Sequence, residues 1–123
     1  MNPEQNLDYL AAKHAQKTVE AGLDENLITK TLGVLQENGV YACFLYLMAN
    51  NSSTAVDQIL DMLKEKAFGF NPPPRTDTDA TDTDALEFAT YITADLQRLL
   101  LAKECLEQML IYARYGAKAA DKQ

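Results

Sequence analysis

The chain has 123 residues, 47% hydrophobic and 24% charged. That is one domain's worth of sequence with enough apolar material for a core, and it excludes bulk disorder and collagen-like repeats. Eleven Lys+Arg against eighteen Asp+Glu give a formal net charge of −7, which excludes wrapping of nucleic acid by bulk charge and leaves only a local basic patch for such contact.

Helical spacing dominates from the start. Leu7, Leu10, Ala11, Ala15 and Val19 recur at threes and fours, and Gly22 ends the run. Asp24 is placed to cap a second helix, whose buried stripe is Leu27, Ile28, Leu32 and Leu35 and which Asn38-Gly39 stops. Residues 40–49, VYACFLYLMA, contain no charged residue. Periodicity cannot separate helix from strand in such a run, but its Ala, Leu and Met content and the lack of any strand partner elsewhere predict a short central helix, buried nearly all round. After the Asn50–Ser53 loop, Ser53 or Thr54 is expected to cap a helix carrying Val56, Ile59, Leu60 and Leu63. Phe68-Gly69-Phe70 ends it, and Asn71-Pro72-Pro73-Pro74 prevents continuation.

Residues 76–80 and 81–85 are both TDTDA. Thr and Asp side chains compete for backbone hydrogen bonds, so residues 69–85 read as a long, acidic, flexible loop. Its aspartates lack the glycine and terminal glutamate that a calcium loop needs. Asp84 is expected to cap the next helix, with Glu87 as its capping-box partner. A long helical run follows over residues 93–118, either continuous with that helix or broken near Thr93. The predicted fold is therefore all-α: a single compact bundle of five to six helices over residues 1–123, with one long acidic loop and a long C-terminal helix.

The chemical inventory is thin. Cys43 and Cys105 sit in apolar helical runs without nearby Cys or His, so they read as reduced core residues and not as zinc ligands. His14, the lone histidine, lies at the edge of an apolar helix face, and no nucleophile elbow or phosphate-binding glycine loop is present. The sequence predicts no catalytic residue, no metal site, no cofactor and no small-molecule substrate. The polar first residues carry no secretory apolar region, and residues 40–49 are too short to span a bilayer, so a cytoplasmic protein with no membrane contact is expected.

One feature stands out. At 100° per residue, Lys103 and Arg114 fall roughly 20° apart on the last helix, with Lys118 within about 60° and Leu96, Leu99 and Leu110 in the same sector. Lys13 and Lys17 are four residues apart on the first helix. If those two helices pack side by side, the five cations are expected to form one strip suited to a phosphate backbone or an acidic partner. The alternative is that long basic side chains simply snorkel at the edge of the core.

Two segments resemble the small subunit of type III-B CRISPR effector complexes, the Cmr module. In residues 35–48, LQENGVYACFLYLM, Asn38-Gly39-Val40 matches that family's turn between a helix and a short apolar helix. In residues 102–117, AKECLEQMLIYARYGA, the Lys103-Glu104 pair and Arg114-Tyr115-Gly116 match its final helix, although Ile111 stands where tryptophan is common. Helix one fits through Ala11, Ala15 and Val19. The resemblance implies a non-catalytic helical bundle that stacks in several copies along the inner filament of an antiviral RNA-silencing complex. There it meets other effector subunits and helps to hold the guide RNA–target RNA duplex. It implies RNA contact at Lys103 and Arg114; the face argument adds Lys13 and Lys17, and Lys118 more weakly. The equivalent subunit of a type III-A (Csm) complex, or a helical protein–protein adaptor with no nucleic-acid role, are the competing expectations.

Overall fold

The computed structural model describes residues 6–70 and 82–121. Six α-helices account for most of them: α1 Leu7–Glu20, α2 Glu25–Asn38, α3 Val40–Ala49, α4 Ser53–Leu63, α5 Asp82–Thr93 and α6 Leu96–Asp121. A 3₁₀ turn at Lys66–Phe68 follows α4, and no strand occurs among the described residues. The all-α bundle with a long last helix is the fold the spacing predicts.

Local chemistry sets most of the helix ends. The Asn6 side chain accepts from the backbone N–H of Asp8 and Tyr9, and Asp24 accepts from that of Leu27 at 2.7 Å, so both helices start on a side-chain cap. Only Gly39 separates α2 from α3. Its φ of 95° is the kind of backbone that glycine adopts without steric cost, which is why the Asn-Gly pair can turn the chain in one residue. Asp95 breaks the last helical run: its carboxylate accepts from the Arg98 N–H at 3.0 Å and starts α6 anew. Arg98 then reaches back, donating Nε and a terminal nitrogen to the Tyr91 carbonyl and stacking 3.9 Å from that ring's centroid. This clasp fixes the corner between α5 and α6.

Several boundaries differ from the sequence expectation. Residues 82–85, which the sequence predicts as loop, form the first turn of α5, so Asp84 lies inside the helix and not at its cap position. An acidic stretch suits the first turn of a helix as well as its cap, because the helix N-terminus favours negative charge. The rest of the expected flexible loop, residues 71–81, lies outside the described residues. Ser52, not Ser53 or Thr54, occupies the cap position of α4, without a side-chain cap bond. The α4 helix stops at Leu63, and Phe68 and Phe70 stack on each other, centroids 5.2 Å apart, beyond it. The short apolar helix α3 is not buried all round. Val40, Cys43, Phe44 and Leu47 enter the core, whereas Tyr41 and Leu45 are 39% and 44% exposed. An uncharged helix still has only as many buried positions as it has neighbours.

The core is continuous. Phe44, Leu35, Met62, Leu63, Ile92, Leu106 and Met109 are fully enclosed at its centre. Both cysteines are free and buried there, and burial pushes each thiol up to about 12, so neither is a nucleophile near neutral pH. Among the described residues, no helix is long and apolar enough to cross a membrane.

Candidate nucleic-acid and partner surfaces on the last helix

The α6 helix is the spine of the bundle. It makes its most extensive contact with α1 and the next with α2. Ala102, Cys105, Leu106, Met109, Leu110, Ala113 and Ala117 form its buried stripe. The two neighbours sit on opposite edges of that stripe, and this decides where the cations go.

The α1 edge is fixed by four contacts. Cys105 Sγ lies 3.7 Å from the Leu7 carbonyl, Thr18 Oγ1 lies 3.6 Å from Met109 Sδ, and Tyr112 donates to the Asp8 carboxylate. The Asp8 hydrogen bond holds the Tyr112 hydroxyl above its ordinary pKa. At Gly116, a Cβ atom would meet Val19 Cγ2 at 3.2 Å, so α1 approaches α6 more closely there than most side chains permit. From Leu7 to Val19 α1 advances roughly 18 Å, and from Cys105 to Gly116 α6 advances roughly 16 Å, so the two helices run alongside each other in the same direction.

The α2 edge is fixed by Gln36, which donates to the Glu107 carboxylate at 3.1 Å, and by Leu110, which shares a small internal cavity with Leu27, Ile28 and Thr31 of α2. At 100° per residue, Lys103, Arg114 and Lys118 all fall within about 40° of Glu107. They share the α2 side of α6. Lys103 and Arg114 are half-buried there and Lys118 is exposed. The Arg114 guanidinium lies 5.2 Å from the Tyr115 ring centroid. Leu96 and Leu100, 68% and 56% exposed, lie in the same sector.

Lys13 and Lys17 are elsewhere. Lys13 Nζ is 3.1 Å from Glu65, on the chain that leaves α4. Lys17 is one turn further along that side of α1, and it is exposed. Helices α1 and α6 do pack together, as the strip required, but each turns its cations away from the shared seam. The structure brings Lys103, Arg114 and Lys118 together on one side of α6, and it sets Lys13 and Lys17 apart from them.

The seam itself is apolar and acidic. One hollow, of about 390 Å³, is lined by Ala12, Ala15, Gln16, Val19, Glu20, Tyr112 and Gly116. A second, of about 200 Å³, is lined by Leu7, Asp8, Glu104, Cys105 and Gln108. Among the described residues, no lysine or arginine lines either one.

His14 is 1% exposed, and its Nε2 lies 2.6 Å from the same Glu65 oxygen that Lys13 contacts. Its Nδ1 is buried without a hydrogen-bond partner. The hydrogen bond from His14, with further contributions from Lys13, holds the Glu65 carboxyl below its ordinary value. The cluster ties α1 to the chain after α4. Nothing in the sequence pairs residues 14 and 65, so helical periodicity alone gave no access to it. Among the described residues, no group of three or more His, Cys, Asp and Glu side chains is placed to hold a metal ion.

Comparison with known proteins finds no family model, no curated protein and no solved structure that matches this chain.

Proposed function

We propose that this chain is a non-catalytic small subunit of a type III-B (Cmr) CRISPR RNA-silencing complex, stacking in several copies and helping to hold the guide RNA–target RNA duplex. The observation that carries this reading is the α2 side of α6. There Lys103, Arg114 and Lys118 share one sector with the exposed Leu96 and Leu100. Cations spaced along a single helix suit backbone phosphates, which are read by shape and charge and not by base sequence. The apolar residues at the start of the helix suit a neighbouring protein subunit.

The motifs behind the resemblance also have structural work in this fold. Gly39 makes the one-residue turn between α2 and α3, and Gly116 faces Val19, the valine that ends the matching first-helix pattern. On this reading Lys103 and Arg114 are the principal RNA contacts and Lys118 an extension of them. Lys13 and Lys17 form a separate, smaller basic patch on α1. Other effector subunits and further copies of the chain are the protein partners, and the site of action is the cytoplasm. Membership of a type III-A (Csm) complex would change the partners and not the physics.

The acidic charge and the apolar, acidic α1/α6 seam favour a second reading, a helical adaptor that binds protein alone. One experiment separates the two. In the assembled native complex, Lys103→Glu with Arg114→Glu is expected to weaken target-RNA binding by about tenfold or more and to flatten its salt dependence. Unchanged RNA binding sinks the channel assignment. A native purification that yields protein partners but no RNA leaves the adaptor.

A further inference from the structure

We propose that the seam between α1 and α6 is a docking groove for a basic amphipathic helix of a protein partner, with an apolar anchor and an arginine or lysine seven or eight residues apart. The inference goes beyond the RNA reading and does not depend on it, because it concerns the opposite edge of α6.

The larger hollow has an apolar floor built from small groups. Ala12, Ala15, Val19 and Gly116 leave a volume of about 390 Å³ where bulkier residues would have filled the seam. The close approach at Gly116, where a Cβ would sit 3.2 Å from Val19, keeps that floor shallow and continuous across the two helices. Its polar rim is Gln16 and Glu20. The smaller hollow is acidic, with Asp8 and Glu104 as its charged lining. The hydrogen bond between Tyr112 and Asp8 forms the wall between the two.

Three carboxylates and, among the described residues, no lining cation make this seam repellent to phosphate and complementary to a cationic partner. The apolar floor asks for a side chain such as leucine or phenylalanine, and the acidic hollow asks for a guanidinium or ammonium. Along α6 the two hollows are centred about eight residues apart, which is roughly 12 Å. On a docked helix, positions seven or eight apart lie on one face at about that spacing, which is how amphipathic helices occupy grooves.

The test uses the full chain and a defined probe: an 18-residue helical peptide of alanine and glutamine carrying one leucine and one arginine seven residues apart, made in both orders. A control of identical composition places them five residues apart, on opposite faces. One of the two probes is expected to bind saturably, about tenfold tighter than the control, and to shift the backbone amide resonances of Ala12, Val19 and Gly116. Glu104→Arg, at an exposed position, is expected to reduce that affinity about tenfold while the circular dichroism spectrum stays unchanged. Equal binding of probe and control, no saturable binding up to millimolar peptide, or unchanged affinity of Glu104→Arg overturns the proposal. Self-association of the free chain that Glu104→Arg abolishes also overturns it, since the occupant is then a second copy.

Discussion

The two edges of α6 share one helix and one buried stripe, yet their chemistry differs. On the α1 edge, Cys105, Met109, Tyr112 and Gly116 meet Leu7, Thr18, Asp8 and Val19 in direct contact. What remains open beside those contacts is apolar and acidic. On the α2 edge, contact is made through Leu110 and Glu107, and Lys103, Arg114 and Lys118 share that side with the exposed Leu96 and Leu100. The α2 edge thus carries three cations beside one carboxylate, Glu107, within a chain that is acidic overall. The net charge of −7 describes the whole molecule, whereas screened electrostatics act over about 8–10 Å, less than the span of the bundle.

The largest expected effect lies under both edges at once. Leu106 is fully buried in the stripe, and Leu106→Ala is expected to destabilise the protein by about 2–5 kcal/mol, measured by urea unfolding. A loss below about 0.5 kcal/mol would mean that α6 is not the spine of the bundle.

A substitution on one edge only sharpens the contrast. Gly116→Val places a branched side chain against Val19, with an expected cost of about 1–3 kcal/mol from overpacking. Val19→Ala in the same molecule is expected to restore part of that stability. A double-mutant cycle without coupling would place α1 elsewhere.

The far side of α1 tests the cluster that removes Lys13 from any shared strip. Glu65→Gln is expected to cost about 1 kcal/mol at neutral pH, since the carboxylate is only partly shielded from solvent. The Glu65 carboxyl is held low in the folded protein, chiefly by its hydrogen bond to His14. Its charge therefore stabilises the fold fully above the usual carboxylate range, and that stabilisation is lost as pH falls through the lowered folded value. The gap between wild type and Glu65→Gln in urea midpoint is expected to be full at pH 7 and to close in acid. A gap that widens in acid would contradict the arrangement.

The smallest effect belongs to the outer edge. Leu96→Ala, at a position 68% exposed, is expected to change stability by less than about 0.5 kcal/mol, measured by thermal unfolding of the free chain. A large loss there would show that this edge is covered by the chain itself and is not open to a partner.

Much of the bundle was legible because helices announce themselves locally. The spacing of Leu10, Ala11 and Ala15, the Asp24 cap and the Asn38-Gly39 stop depend on residues within a turn or two of each other, and the structure bears them out. Boundaries failed where a residue could serve two conformations, as at Asp84, which propensity places at a cap and the structure places inside α5. Composition overstates the burial of α3, because it says how apolar a helix is and not how many neighbours it has.

The sequence by itself determined the angular position of each residue within its own helix. Helical spacing alone puts Lys103, Arg114 and Lys118 in one sector of α6 and Lys13 and Lys17 one turn apart on α1. Only the tertiary structure decided how those helices are rotated and crossed against one another. Rotation is set by packing between distant residues: Val19 against Gly116, Asp8 with Tyr112, and His14 with Glu65. No periodicity within a single segment encodes such pairs. A helix fixes its own faces through backbone hydrogen bonds four residues apart, but which face meets which neighbour is settled by close packing of the whole core.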